Sequence, residues 1–292
     1  MTLEQLAIFV AVAEREHLTQ GAAALGLTPS AASAAIKVLE ARYGLDLFDR
    51  VGRRIELTRA GRDFLAAARA TLAAAREAEG VMSDLGRLRT GRLDLAASQT
   101  IANYWLPTRL MRFARAFPGI AVDFRVGNTS SVAQAVLSGA AELGFIEGFI
   151  DEPALAARPV YRDELVIVVP AGMARRVEGL LPAALTELDW VMREPGSGTR
   201  TEFESALAGI GVAPASLPVA LTLPTNEAVL SAVRGSACAA ALSRLVVAPF
   251  IASGELLALD IALPARQFTI LHHKERRRSG AARQFEQVSA EP

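Results

Sequence analysis

Two groups of residues in this chain have types and spacings that suit recognition chemistry. Thr28, Ser30, Ala31, Ser33, Ala34 and Lys37 fall on the opening turns of one helical stretch, and Arg50, Arg53 and Arg54 crowd a short loop just beyond it. Small hydroxyl side chains let a helix lie deep in a duplex groove, alanine meets a thymine methyl, and lysine or arginine neutralises phosphate. The second group is three polar turns: Ser98-Gln99-Thr100, Asn128-Thr129, and Glu194 to Arg200 with Gly196, Ser197, Gly198 and Thr199 between them. Each is expected at a helix start, where free backbone N–H groups beside hydroxyls make a cradle for a carboxylate or oxyanion. Taken singly, such turns are mostly caps; the expectation of a ligand site rests on their convergence in one cleft. Glu147 and Glu194 complicate an anion site, and are expected to pair with arginine or to accept from a ligand hydroxyl. An Arg200 drawn into such a pair weakens the charge selectivity.

The elements that position the first group follow from apolar spacing and stop signals. Leu3, Leu6, Ile8, Phe9, Val10 and Ala13 recur at helical spacing; a second helix follows Leu18 with Thr19 as cap, and Gly26 ends it. Thr28-Pro29 opens a third helix, which runs to Tyr43 and stops at Gly44. Two short strands, Leu45 to Phe48 and Arg54 to Leu57, are expected around the loop Asp49 to Arg53. A tight turn between the second and third helices is the geometry that puts one helix in a major groove, and the basic loop is a wing beside it. On the helix pattern alone, an ordinary helical hairpin with no partner fits equally well; the arginine-rich wing at this spacing favours binding to nucleic acid.

From Arg59 to about Leu88 there is no proline, and an apolar stripe runs through Phe64, Leu65, Ala68, Leu72, Ala75, Val81 and Leu85. About 30 helical residues make a rod of roughly 45 Å. A rod with one apolar side pairs with a second copy or packs on its own chain, and pairing is the expectation. Beyond Thr90-Gly91, strands alternate with helices: Leu93 to Ala97, Tyr104 to Ala116, Val122 to Val126, Val132 to Leu137 and Leu143 to Glu147. A second set runs from Leu165 to Leu242, and a strand at Phe268 to His272 with a helix near Ala281 to Val288 returns to the first lobe. This rhythm predicts an α/β fold with largely parallel sheets in two lobes and a cleft between. The expected domains are 1–58, a linker helix 59–89, and 90–292, with lobe I at about 90–162 and 267–292 and lobe II at about 163–266.

Bulk properties narrow the class. With 31 basic and 31 acidic residues the chain does not coat nucleic acid by charge alone, so contact with DNA has to be local. One cysteine, Cys238, excludes an internal disulfide and fits a reducing compartment; it lies in a strand-like run and is expected to be a buried small side chain. The first residues lack the pattern of an export signal and no apolar run is long enough to span a bilayer, so a cytoplasmic protein without membrane contact is expected. His272-His273 adjoins Lys274 and Arg276 to Arg278 and reads as a solvated basic edge rather than a metal site. There is no P-loop, dinucleotide fingerprint or nucleophile elbow.

Leu6, Phe9, Val12, Glu14, Ala22-Ala23, Leu25, Ser33, Ile36-Lys37, Leu39-Glu40, Gly44, Leu47-Phe48, Arg50, Leu57-Thr58 and Ala60-Gly61 closely resemble the N-terminal signature of LysR-type transcriptional regulators. Within that family, the Ser-Gln-Thr turn and the Arg193 to Arg200 segment resemble the subgroup that includes regulators of sulfur assimilation and carbon fixation. The resemblance implies an N-terminal all-α winged helix-turn-helix, a long linker helix and a two-lobed, periplasmic-binding-protein-like (type 2) effector domain. It also implies a bacterial homodimer or homotetramer on dyad-symmetric promoter DNA, working with RNA polymerase. Its effector would be sulfite, sulfate, another sulfur metabolite or a phosphorylated sugar, and it would have no catalytic residues, cofactor or metal. Two rivals are a solute receptor, disfavoured by the N-terminal helices, and an enzyme using the Ser197/Thr199 turn, disfavoured because no base is placed near it in sequence.

Overall fold

The computed structural model describes residues 1–51, 54–85, 90–179 and 181–290, with nothing stated of the side chains of residues 50, 51, 54 and 80–85. It forms two units, the first Met1–Met82 with Ser138–Ala140 and the second Ser83–Leu137 with Ala141–Pro292.

The first unit opens with α1 (Leu3–Ala13), α2 (Leu18–Ala23) and α3 (Pro29–Tyr43). Thr2 and Gln5 close a reciprocal cap on α1. His17 rather than Thr19 caps α2, its Nδ1 accepting from the Gln20 N–H, because the helix begins two residues earlier than its sequence suggests. Thr28 caps α3 by accepting from the Ala31 N–H at 3.2 Å, and Pro29 occupies the first turn, where no N–H is needed. Strands β1 (Phe48–Val51) and β2 (Arg54–Leu57) pair antiparallel from Phe48↔Leu57 to Val51↔Arg54. The first strand therefore starts three residues later than expected: Glu40 Oε1 accepts from the Leu47 and Phe48 N–H groups, which ties that segment to α3.

Helix α4 (Arg59–Leu85) carries the long apolar stripe. Its first half does not await a partner: Ala68 is buried and Phe64, Leu65 and Leu72 pack on Leu6, Phe9, Leu39 and Leu57 of the same unit. Phe9 sits at the centre, its ring 5.0 Å from Phe64 and 5.5 Å from Phe48. Gly61 makes this junction possible, since a Cβ there would stand 2.2 Å from the Leu47 carbonyl oxygen.

The second unit continues through β3 (Gly91–Ser98), a π-helical turn (Ile101–Trp105), α5 (Leu106–Ala116), β4 (Ile120–Gly127), α6 (Thr129–Ser138), β5 (Leu143–Glu147) and β6 (Leu155–Asp163). There follow β7 (Leu165–Pro170), α7 (Ala174–Val177), β8 (Trp190–Arg193), α8 (Gly198–Gly209), β9 (Val219–Leu223), α9 (Asn226–Arg234), β10 (Ala240–Ser243), α10 (Arg244–Ala252) and β11 (Leu256–Ala258). The chain closes with β12 (Arg266–His273) and α11 (Gly280–Ala290). One sheet has the order β4-β3-β5-β12-β6, and the others are β10-β7-β11 and β8-β9. The expectation of largely parallel sheets needs correction. Among the strands of the described residues, β3 runs parallel to β4 and β5, and β8 to β9, whereas β12 is antiparallel to both neighbours and β7 to both of its own. Parallel pairing requires a crossover element, and the chain that returns from lobe II enters beside β5 and β6 from the opposite end.

Lobe I is packed on both faces, around Trp105, Phe113, Phe145, Phe268 and Phe285 on one and Val132, Val136 and Leu271 on the other. Lobe II centres on Trp190, Phe203 and Leu207, with Val229, Val233 and Val247 on the far face. Cys238 precedes β10 and is half-buried, a correction to the expected buried strand position; its N–H donates to Ser236 Oγ in a tight turn. Helix α10, which contains Pro249, and the strands β6 and β11 were not anticipated from spacing.

Gly61→Ala is expected to lower the stability of the first unit by about 1–3 kcal/mol, as overpacking against backbone does. A urea titration followed by circular dichroism reads this as an earlier transition, and an unchanged midpoint would contradict the packing described.

Candidate functional site

Two surfaces gather the residues singled out by type. On α3, Ala32, Ile36 and Leu39 are buried against the first unit. The opposite face presents Ser30, Ala31, Ala34 and Lys37 to solvent, with Ser33 half-exposed and Thr28 exposed at the helix start. Thr28 Oγ1 serves the cap and lies 3.0 Å from Ser30 Oγ, so its hydroxyl is already engaged at the helix start. A helix with this small, polar, singly basic face is shaped to enter a major groove. Arg53 lies outside the described residues, and so do the side chains of Arg50 and Arg54; their backbones flank the tip of the β1–β2 hairpin.

The other surface is the cleft of the second unit. Parallel strands β3, β4 and β5 end at Ser98, Gly127 and Glu147, and β8 ends at Arg193, so the polar turns stand at carboxyl ends of strands, where α/β sheets bind ligands. The three turns do not remain equally open. Gln99 is spent on lobe II: its Nε2 donates to the Pro224 carbonyl at 2.9 Å and its Oε1 accepts from the Asn226 N–H at 3.0 Å. Thr100 Oγ1 accepts from Asn226 Nδ2 at 3.0 Å, and Asn103 and Tyr104 of the π-helical turn reach Glu227. The start of α6 is likewise occupied, for Asn128 Oδ1 accepts from the Ser131 N–H and the Gly196 carbonyl from the Ser130 N–H.

Helix α8 differs. Its N-cap Ser197 makes no side-chain cap bond, and among the described residues no acceptor meets the N–H groups of Gly198, Thr199 and Arg200. Ser197 and Thr199 are each 2% exposed and Gly198 is buried, whereas Arg200 is half-buried. Gly198 is required here, because a Cβ would stand 2.4 Å from Thr129 Oγ1 and 2.7 Å from the Glu147 carbonyl oxygen. Of the polar turns, this one retains unspent donors and the charge of a helix N-terminus. Ser98 Oγ is a further buried hydroxyl with no partner.

The arginines around the cleft are mostly neutralised. Arg193, with its side chain 3% exposed, forms a two-pronged pair with Glu194 at 2.8 and 3.0 Å and donates to Asn226 Oδ1. Arg200 pairs with Glu204 at 2.7 Å and donates to the Arg193 carbonyl. Glu194 is thus held by arginine, while Glu147 has only a 3.5 Å contact from Thr129 Oγ1. Burial holds the Glu202 carboxyl above its ordinary value; Arg266 opposes this and Glu147 adds to it. Spacing did not single out Asn226, Asp163, Glu202, Ser243 or Arg266. Arg266 donates to Asp163 Oδ2 at 2.7 Å and to Thr199 Oγ1 at 3.0 Å, contacts 103 and 67 residues away in sequence that no local pattern could signal.

Comparison with known proteins finds a match for both parts of the chain. Residues 3–62 match the model described as bacterial regulatory helix-turn-helix protein, lysR family, and residues 86–291 match the LysR substrate binding domain. YeiE of Escherichia coli K12, described as an uncharacterized HTH-type transcriptional regulator, is 35% identical, covering 98% of this chain and 96% of its own. The RuBisCO operon transcriptional regulator of Allochromatium vinosum is 30% identical, over 98% of this chain and 94% of its own. Full-length CbnR complexed with its target DNA has the same fold, with a TM-score of 0.69, 21% identity and 99% of each chain covered. The CcmR regulatory domain of Synechocystis PCC6803 in complex with 2-PG matches with a TM-score of 0.62 and 26% identity, over 69% of this chain and 96% of its own. Among the described residues no helix is long and apolar enough to cross a membrane, and no group of three His, Cys, Asp or Glu could hold a metal ion.

Two outcomes follow. Asn226→Ala removes a donor from Thr100 and an acceptor from buried Arg193, and is expected to destabilise the second unit by on the order of 2 kcal/mol in thermal denaturation. Glu202 holds its proton to higher pH in the folded chain than in the unfolded one, so its contribution is fully present in acid and is lost as pH rises through the folded value. Glu202→Gln should therefore gain stability over the parent protein as pH rises above the ordinary carboxylate value of about 4. A constant difference in urea midpoint across that rise would refute the assignment.

Proposed function

Since the chain belongs to the LysR family of transcriptional regulators, DNA-binding proteins rather than enzymes, we propose that it is an effector-responsive regulator. It binds dyad-symmetric promoter sites as a homodimer or homotetramer in the cytoplasm, and senses a small anionic metabolite of the sulfur-oxyanion or phosphorylated class. The observation that carries the sensing half is the uncapped, buried start of α8, with Ser197 and Thr199 beside three free N–H groups. Such a terminus favours a compact negative charge. The 2-PG bound by the related CcmR domain supports the phosphorylated class, and the likeness to the RuBisCO operon regulator points the same way.

Recognition of DNA falls to α3, with Ser30, Ala31, Ser33, Ala34 and Lys37 toward base edges and Arg50, Arg53 and Arg54 of the wing toward the backbone. The second half of α4, beyond the part packed on its own unit, supplies the apolar face for pairing with another copy. An effector at α8 competes with or completes the bonds that Gln99, Thr100 and Asn128 make across the cleft, and so biases lobe closure. Contact with RNA polymerase would then turn occupancy into transcription.

Thermal-shift screening of oxyanions and phosphorylated metabolites tests the sensing reading, because a ligand bound only by the folded form raises the melting temperature with concentration. Ser197→Ala should weaken the responsive ligand by about tenfold, and a shift of undiminished size would displace the site from α8. On promoter fragments, Lys37→Ala should reduce affinity and lower the salt slope by about one, the mark of a lost phosphate contact. A salt slope equal to that of the unmodified protein would remove Lys37 from the interface.

A further inference from the structure

The surroundings of α8 bear on which anion it can hold. Arg266 is 2% exposed; its Nε serves Asp163 and its Nη1 serves Thr199 Oγ1 in the first turn of α8, yet its Nη2 is fully buried with no acceptor. A buried guanidinium nitrogen beside an uncapped helix start is an unused donor with a charge behind it. Glu147 lies against the same turn, since a Cβ on Gly198 would stand 3.0 Å from the Glu147 Cβ. It is 3% exposed, and among the described residues no cation lies within ion-pairing distance of it, leaving the long contact from Thr129 Oγ1 as its only side-chain hydrogen bond. The site thus offers an excess of donors on one side and an under-used buried acceptor on the other. An oxyanion stripped of hydrogen meets the donors well but sets its lone pairs against the Glu147 carboxylate. An oxyanion that keeps an O–H satisfies both sides at once.

This inference rests on reading the α8 start as the ligand cradle. We propose that the cradle takes an oxyanion bearing an O–H of its own, such as hydrogenphosphate, hydrogensulfite or a hydroxylated phosphate ester. The Arg266 Nη2 and the α8 N–H groups donate to its anionic oxygens, and the Glu147 carboxylate accepts from its hydroxyl. Arg266 and Glu147 then determine specificity, and sulfate, which has no hydrogen to offer, is rejected. A site built around one hydrogen bond discriminates strongly, because the analogue that lacks the donor leaves a buried group unpaired.

Isothermal titration of the full-length protein with inorganic phosphate and with sulfate, in mildly alkaline buffer, isolates that bond. Both anions are then dianions of nearly the same size, and phosphate alone retains a proton. The intact protein is expected to prefer phosphate by about a hundredfold or more. Glu147→Gln, which exchanges an acceptor for an amide that can also donate, should shrink that preference by at least about tenfold, mainly through tighter sulfate. Arg266→Gln should weaken both anions by a similar factor, and if it does not fold, the preference of the intact protein and its change in Glu147→Gln decide the matter. Equal binding of the two anions, or a preference untouched by Glu147→Gln, overturns the inference while leaving the cradle in place. Binding of neither anion at millimolar concentration overturns the cradle itself, and this inference with it.

Discussion

Asp163 and Arg266 stand opposite each other in register where β6 leaves lobe I and β12 re-enters it, and their side chains form an ion pair of 2.7 Å with each side chain 1% exposed. Both strand crossings between the lobes run through this point. Ser243 from the end of β10 donates to the second Asp163 oxygen, and Thr199 from the first turn of α8 accepts from the arginine. A pair this deeply buried contributes little net stability, because desolvation offsets most of the Coulomb attraction. Removal of either partner, however, leaves a stranded charge costing about 3–5 kcal/mol. Its consequence is positional: the cleft can open only in ways that keep the pair satisfied, and the start of α8 is held against lobe I while it does so.

Around that anchor the cleft is closed by bonds the protein makes with itself. Asn226 joins Thr100 of one lobe to Arg193 of the other, and Gln99 caps α9 from across the gap. Together with the bonds of Asn128 and Ser130 at the start of α6, these contacts occupy two of the three polar helix starts and leave the third, α8, with its donors unspent. A ligand therefore acts on an already bonded interface, and its influence on the lobes equals the difference in its affinity for the bonded and the altered arrangement.

The first unit solves a different problem, that of holding a small polar helix face outward. Phe9, Phe48 and Phe64 fill one side of the core, and Ala32, Ile36 and Leu39 fix the rotation of α3 so that Ala34 and Lys37 point away from it. The early turns of α4 belong to this core as much as to any rod, a consequence of Gly61 allowing helix and backbone to meet. An apolar stripe states that a face is buried but not against what, and the structure seats the first half of this one on the core of its own unit.

Spacing and stop signals were enough to place the α1, α2 and α3 helices, the hairpin, the long helix, the parallel strands β3, β4 and β5, and the helices α5 and α6 that follow the first two of these strands. Each is dictated by apolar period, caps and glycines within a few residues. The same local information failed for β6, whose LAARPVYRD run lacks alternation because it lies at a sheet edge, where Pro159 needs no ladder donor. The polar turns of the ligand cleft were also visible as turns. Which of them keeps free donors was decided only by the tertiary structure, because Gln99, Asn128 and Asn226 choose their partners across 66 to 127 residues of chain. Arg266 and Glu147 show the division most sharply: the type of each residue is written in the chain, but an unused donor on Nη2 and an under-used acceptor are properties of neighbours, and burial that brings distant segments together is what leaves each short of a partner.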